Sequence, residues 1–397
     1  MASALFDELK SRFSLDGIDI DNWSFKFFSR VSVGIFMMAS AASIASQYGG
    51  DAIKCANGGS YDEAYCWLHG TSNIPPTKLS LEITNGDNCF RYQASNDEDS
   101  DLEDEKDTKY YIWVSLILFI NGALFIIPDQ LWKHFEGGML EQFGSNRKEF
   151  LEDSKESAKI FNDLSKNLTR RYFYTFIFFE CLNYAVAFAS FALIDHFLSG
   201  QFFTYGSKAI QYYSGNTQET SVDIGGENKD VKLNPMCSVF PTIVSCDFAF
   251  FGVTGAKDTR SNICILGQNL MNQQTFLLVW IWFIVLISVS ACMILYRLVT
   301  FSLVDYQHRA IQHYVKSNDD SASKKILLNF DHIGNWFLLT QIGRNSTPYT
   351  FRRFLDEIVG TKTDEKKELR QKEKTKKTIE NVEMGLMDTK QDEKKEF

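Results

Sequence analysis

The stretch from 110 to 131, YYIWVSLILFINGALFIIPDQL, decides the fold of this chain. Asp129 is the only charged residue in it, and a helix of about 20 apolar residues is long enough to cross the roughly 30 Å hydrocarbon core of a bilayer. Further apolar stretches of similar length occur at 31–48, 172–198 and 276–298. One such stretch could be a buried helix of a soluble protein. Together they predict an all-α membrane protein in which a four-helix transmembrane bundle crosses the bilayer.

The composition excludes several other classes of protein. Of the 397 residues, 45% are hydrophobic and 14% are aromatic, which is too much apolar material for a chain that is disordered over most of its length. The formal net charge of −9 and the lack of a basic stripe argue against a nucleic-acid partner. The sequence also has no H-x-x-x-H or C-x-x-C pair, no phosphate-binding glycine loop and no nucleophile elbow. We therefore expect no enzyme activity, no cofactor and no metal site; the expected partners are membrane lipids and other protein chains.

The distribution of Lys and Arg predicts which side of the membrane each connecting segment occupies. There are eight Lys or Arg residues between 133 and 171, against five in the loop 49–109 and five in the longer loop 199–275. Because positive charge favours the cytosolic side, the two long loops are predicted to be extracellular and both termini cytosolic. The expected cytosolic parts are the N-terminal segment 1–30, the loop 132–171, a helical region 299–360 and a charged flexible tail 361–397.

The cysteines are concentrated in the two long loops. Of eight cysteines, three lie in each loop. An even set on one side of a membrane indicates disulfides formed in an oxidising compartment, and three in each loop suggests bridges between the loops. The six residues allow 15 pairings, which the sequence does not resolve. They are Cys55, Cys66, Cys89, Cys237, Cys246 and Cys264.

Short motifs in this order resemble one membrane-protein family. The second span opens YYIWV, close to a YYQWV signature, the first loop carries YCWLHGT, and the region after the fourth span carries IGNWFLL, like IGDWFLL. With these motifs the chain resembles an innexin, the gap-junction family of invertebrates, through about residue 355. The matching signature residues are Tyr110, Tyr111, Trp113 and Val114. The signature Gln is Ile112 here, and Ser115 stands where a proline often follows, so the outer part of the second span is expected to be straighter.

The resemblance implies a function and an assembly. It implies a multi-pass plasma-membrane protein that forms a homo-oligomeric ring of eight or six subunits, with mixed rings of sister innexins as a further option. Two rings in apposed membranes would dock through their extracellular loops, which carry some β structure, and pass ions and small molecules between cells at a gap junction. Two alternatives stay open: an unpaired hemichannel for release or uptake of small molecules, and a tetraspan adhesion or scaffold protein.

The resemblance also bears on the cysteines. The family usually has two per loop, matching Cys55 and Cys66 in the first loop and Cys246 and Cys264 in the second. Cys89 and Cys237 are additional, and we predict that they form a third bridge between the loops.

One polar face of the first span is a candidate pore lining. Its residues recur at helical spacing, and a polar face on a membrane helix must meet protein or water. The alternative is a packing face, because small residues that favour helix contacts are abundant in the same span. In innexins the first span borders the pore, so the resemblance favours the lining role. The candidates are Ser32, Phe36, Ser40, Ser43 and Gln47.

Glu180 lies near the middle of the third span, with Asn183 about one turn further along. An ionisable residue at this depth is a functional candidate that faces the interior of the bundle. The alternative, which we favour, is an architectural hydrogen bond between helices.

Overall fold

The computed structural model describes residues 18–56, 58–72, 110–144, 149–216, 220–224, 227–231, 234–251, 253–315 and 333–361, together with positions 371 and 375. The chain divides into two compact units. The first unit comprises Met1–Asn22, Trp132–Phe179 and Ile294–Phe397, and the second unit comprises Trp23–Leu131 and Glu180–Met293.

Most of the described residues are helical. The helices are α1 (Trp23–Lys26), α2 (Ser32–Gly49), α3 (Ser60–His69), α4 (Tyr110–Leu124), α5 (Ile127–Glu136), α6 (Ser154–Phe197), α7 (Phe202–Tyr213), α8 (Pro235–Val239), α9 (Gly267–Ser302), α10 (Val304–Val315), α11 (Ile333–Asn345) and α12 (348–361). A π-helical turn, Phe27–Val31, joins α1 to α2, and a short 3-10 helix covers Leu140–Phe143.

Four helical stretches are long and apolar enough to cross a membrane: Trp23–Gly49, Tyr110–Glu136, Leu168–Phe197 and Gly267–Ser302. They confirm the predicted four-helix membrane fold. The helical stretch of the first span starts at Trp23, so residues 23–30, predicted as part of the cytosolic N-terminal segment, continue into that span.

The second span is interrupted well inside the membrane-crossing stretch. The helix α4 runs without a break through Ser115, and the interruption falls at Phe125 and Ile126, between α4 and α5. Pro128 follows directly, and since proline has no backbone N–H it cannot donate the hydrogen bond that would continue the ladder to Leu124. The break in this span therefore lies just before Pro128.

Aromatic packing forms the core of each unit. In the second unit, Phe36 lies 5.6 Å from Phe125 and 5.8 Å from Phe283, measured between ring centroids, so one ring connects three spans. In the first unit, the Phe176 ring lies 5.1 Å from Trp132 and 4.7 Å from Phe337. These contacts join α5, α6 and α11.

Two small antiparallel sheets are formed by residues from the long loops. The first, which we call the loop sheet, has the strand order β1–β5–β4, with β1 at Lys54–Cys55, β4 at Ile243–Phe251 and β5 at Lys257–Ile265. The second pairs β2 (Thr220–Ile224) with β3 (Glu227–Val231). The strand β1 comes from the first long loop and the other strands come from the second.

Candidate functional site

Among the described residues, two disulfides join the long loops, one within the loop sheet and one between α3 and that sheet. Cys55 on β1 is bonded to Cys264 on β5, and these two residues are direct register partners in the sheet. Cys66 on α3 is bonded to Cys246 on β4. Both bridges run between the two loops, so the structure gives the pairing that the sequence left open for these four cysteines.

A further cysteine of the second loop is also disulfide-bonded. Cys237 lies on the short helix α8 and is almost fully buried. Its predicted partner, Cys89, lies outside the described residues, so the bridge between them stays a prediction. The sulfur atoms of Cys55, Cys66 and Cys264 lie within 4.8 Å of one another, but all three are in disulfides and cannot act as thiolate ligands for a metal.

The signature residues at the start of the second span attach that span to the loop sheet. Tyr111 is fully buried, and its hydroxyl donates to the carbonyl oxygens of Cys66 and Trp67, each at 3.4 Å. The Trp67 ring packs on the Tyr111 ring with 4.6 Å between centroids. The disulfide-bearing helix α3 is thus held directly against α4.

The other signature residues have different surroundings. The ring of Tyr110 packs against Phe240 at 5.8 Å, and Val114 is fully buried in the core of the second unit. Trp113 is mostly exposed and lies on the opposite face of α4. The signature therefore combines three residues that pack within the protomer with one residue, Trp113, that is exposed.

The structure places the predicted pore face of the first span against neighbouring helices of the same protomer. Ser32, Phe36, Ser40 and Ser43 are buried and Gln47 is half-buried, so the pore-lining role of this face stays a prediction. Ser32 Oγ accepts from the indole N–H of Trp282 at 3.2 Å. These contacts within the protomer support the packing alternative.

The contact between α2 and α4 is a polar seam. Ser40 Oγ donates to the carbonyl of Ser115 at 2.9 Å, and Gln47 Nε2 donates to the carbonyl of Tyr111 at 2.8 Å. Ser115 Oγ in turn donates to Gln47 Oε1 at 3.4 Å. Ser115, which stands where a proline is often found, therefore takes part in two of these three bonds.

The opposite face of α2 is exposed. Its residues recur at i, i+3, i+4 and i+7 and carry small or flexible apolar side chains. We call this set the outer face of α2: Met38, Ala41, Ala42 and Ala45.

A cluster of buried amides at the start of α9 escaped prediction. The fourth span was predicted from 276, but α9 begins at Gly267 and buries Gln268, Asn269, Asn272 and Gln273. Gln268 Nε2 donates to Ser43 Oγ at 3.1 Å, and Asn269 Nδ2 donates to the carbonyl of Pro241 at 2.6 Å. Polar sequence normally indicates an exposed loop, so the only signal in the sequence was the direct continuation of GQNLMNQQ into an apolar run.

A tyrosine of α7 completes this region. The Tyr205 hydroxyl donates to the carbonyl of Gln273 at 3.0 Å. Burial raises the pKa of Tyr205 well above its usual range, so the hydroxyl stays protonated and keeps this donor role. Together with the amides, it fixes the start of α9 against the second loop.

Glu180 and Asn183 are both buried in the second unit. Glu180 Oε1 accepts from Ser24 Oγ at 3.2 Å, which ties the third span to the start of the first. In the described part of the chain, neither amide atom of Asn183 has a hydrogen-bond partner. The Glu180 contact supports the architectural alternative for this residue.

Comparison with known proteins gives the family. A family model described as Innexin matches residues 21–361, which include all four spans and the loop sheet. The chain belongs to the innexin family. It is similar to Innexin inx2 of Drosophila melanogaster, with 30% identity over 89% of this chain and 94% of that protein. It is also similar to Innexin inx2 of Schistocerca americana (29% identity, 89% and 96% covered) and to Innexin shaking-B of Drosophila melanogaster (26% identity, 89% and 93% covered).

Family membership places the polar seam at a departure from the usual innexin signature. This innexin keeps both signature tyrosines, of which Tyr111 bonds to α3, and has Ser115 where a proline often follows. The replacement restores a backbone N–H to α4 and adds a side chain that bonds to α2.

Proposed function

We propose that this innexin is a subunit of a gap-junction channel that passes ions and small molecules between adjacent cells. Membership of the innexin family carries the proposal. The loop sheet supports it, since two disulfides and the Tyr111 anchor fix the loops before any partner binds. A pre-ordered surface loses less conformational entropy on association than a flexible one.

The tip of the β4–β5 hairpin is the part of the loop sheet best suited to meet a second ring. Phe251 is 77% exposed, and Val253 is fully exposed. Exposed apolar side chains surrounded by charge are typical of interaction sites, and Lys257, Asp258 and Arg260 follow on the paired strand. We propose that this hairpin takes part in docking between apposed rings.

The rest of the assembly follows from the same proposal. The subunits would form a homo-oligomeric ring, an octamer or a hexamer, with both termini cytosolic and the loop sheet outside the cell. Mixed rings with other innexins are compatible with it. The outer face of α2 replaces the buried hydroxyl face as the proposed contribution of the first span to the pore.

A hairpin variant tests the docking role separately from channel formation. Phe251→Asp places a charge at the proposed junction, while Tyr349→Asp changes an aromatic residue of equal exposure, 76%, on α12 in the other unit. Paired cells that express the parent chain should pass a small fluorescent tracer. Phe251→Asp should abolish transfer between cells and leave tracer uptake by single cells intact, and Tyr349→Asp should resemble the parent.

The outcomes separate the alternatives. Uptake by single cells without transfer by the parent chain would indicate an unpaired hemichannel. Cell aggregation without uptake or transfer, with protein confirmed at the surface, would indicate an adhesion or scaffold role. Normal transfer by Phe251→Asp would contradict the docking role of the hairpin.

A further inference from the structure

The end of α11 holds the backbone just ahead of the first span. Asn345 makes a two-way contact with Asp19: its Nδ2 donates to the Asp19 carbonyl at 2.9 Å, and its Oδ1 accepts from the Asp19 N–H at 2.6 Å. The Asn345 amide thus pairs with the Asp19 backbone through one donated and one accepted hydrogen bond, as two neighbouring β-strand residues do. Because both bonds reach main-chain atoms, the contact fixes the path of the backbone rather than a particular side chain.

Arg344, the preceding residue, holds the next part of the same segment. Its Nη1 donates to Asn22 Oδ1 at 2.8 Å, and its Nη2 donates to the carbonyl of Asp21. A guanidinium group presents its donors in a rigid fork, so the two bonds specify the position of both residues. We call Arg344 and Asn345 the clamp.

Residues of the second span also contact the segment 19–22. The indole N–H of Trp132 donates to the carbonyl of Ile20 at 3.4 Å. Lys133 Nζ lies 3.8 Å from a carboxylate oxygen of Asp21, and the Asp21 side chain is almost fully buried. Each residue from Asp19 to Asn22 is therefore in contact with the clamp or with α5.

Contacts on and around α11 hold the two clamp residues in place. Gln341 binds both clamp residues, since its Oε1 accepts from Arg344 Nη1 at 3.3 Å and its carbonyl accepts from Asn345 Nδ2 at 3.0 Å. A Cβ atom on Gly343 would lie 3.0 Å from the Tyr314 ring and 3.1 Å from the Phe351 ring, so α11 is closely packed on α10 and α12. Movement of the clamp thus requires movement of this helical group.

We propose that Arg344 and Asn345 are positioning residues that hold residues 19–22 and thereby set the gating of the channel. Asn22 is followed directly by Trp23, the first residue of α1, so the held segment is continuous in the chain with the first span. The electrical part of this inference rests on the proposed function, and the clamp itself can be tested without any conductance.

The clamp is tested by thiol accessibility on the full-length, detergent-solubilised protein. In a Cys181→Ser, Cys292→Ser background, which removes the two free cysteines among the described residues, Ile18→Cys supplies a probe next to Asp19. Arg344→Ala removes the two hydrogen bonds that the charged guanidinium group donates to Asn22 and Asp21. It should therefore raise the maleimide labelling rate of Ile18→Cys about tenfold.

Further variants separate the contributions of Asn345 and of the Arg344 guanidinium group, and supply a control. Asn345→Ala should raise the rate to a similar extent as Arg344→Ala. Arg344→Lys keeps the charge but loses the fork, and should label nearly as fast as Arg344→Ala. Arg353→Ala, which removes an exposed arginine from α12, should label at the parent rate.

Asn22→Ala tests the same contact without any change to α11, so its result does not depend on the folding of the α11 variants. It removes only the partner of Arg344 Nη1 and leaves α11 intact. It should raise the labelling rate by a smaller factor and add little when combined with Arg344→Ala, since the two changes break the same bond. A parent-like rate in Asn22→Ala and in the folded Arg344→Ala protein would overturn the clamp.

Gating is measured by junctional current in paired cells as a function of transjunctional voltage. At equal surface expression, Arg344→Ala should shift or flatten the voltage dependence, and Arg353→Ala should not. Faster labelling of Ile18→Cys with unchanged gating would overturn the regulatory part of the inference. Absence of junctional current in the parent chain would instead overturn the proposed function and leave the labelling result in place.

Discussion

Gly334→Ala tests the closest helix crossing in the first unit. Gly334 is buried on α11, and a Cβ atom there would lie 2.5 Å from the carbonyl oxygen of Thr169 and 2.6 Å from its carbonyl carbon on α6. Both atoms belong to the backbone and cannot rotate away. The two helices would have to separate by roughly 1 Å to restore an ordinary contact distance of about 3.5 Å or more.

The cost can be worked out from the neighbouring contacts. Overpacking of this kind costs about 1–3 kcal/mol. Separation would also break the 2.6 Å bond from Thr169 Oγ1 to Asn335 Oδ1, and leaving buried polar groups without partners costs about another 1–3 kcal/mol. Alanine recovers about 1 kcal/mol of helix propensity relative to glycine. The net loss of stability is therefore about 1–5 kcal/mol.

Thermal unfolding of the detergent-solubilised protein, followed as the fraction that remains monodisperse on size exclusion, measures the effect. Gly360→Ala is the matched control, since it adds the same methyl group to α12 in the same unit with nothing within 4 Å. Gly334→Ala should melt well below the parent, while Gly360→Ala should match or slightly exceed it. Equal melting of the parent and Gly334→Ala would refute the argument from backbone contact.

Three further predictions concern the second unit. A Cβ atom on Gly206 would lie 2.1 Å from the Trp280 ring, so Gly206→Ala should lower thermal stability by about 1–3 kcal/mol, and added Trp280→Leu should recover part of that loss. In a cysteine scan of current block, Ala45→Cys on the outer face of α2 should react with a thiol reagent, and buried Ser40→Cys should not; the reverse pattern would restore the hydroxyl face as the pore lining. Tyr111→Phe removes the hydrogen bonds from α4 to α3 and should cost about 1 kcal/mol in a melting experiment; unchanged melting would mean that ring packing alone holds α3 against α4.

The sequence was sufficient for the architecture because the bilayer imposes a length on every apolar helix. The four spans could be predicted in this way. The linkage of the two loops could be predicted from the three cysteines in each loop. The pairing of four cysteines required the register of β1 and β5 and the position of α3, which depend on contacts distant in the sequence.

The direction of polar side chains could not be predicted. Ser40 and Ser43 form a stripe that fits a wet pore or a packed interface equally well, and only the positions of Ser115 and Gln268 on other helices decide between them. The same holds for the buried amides of α9, of which Asn269 and Gln273 donate to main-chain carbonyls of the second loop. The clamp was missed because Arg344 and Asn345 are separated by more than 300 positions from the residues that they hold.

Dual voltage clamp of paired cells measures directly whether this chain forms a channel between cells. Both cells express only this innexin, with surface expression confirmed, and cells without it give the background. We expect a junctional current above background that accompanies passage of a small tracer. Background-level junctional current, when the same chain is also silent beside a second innexin in the apposed cell, would contradict it.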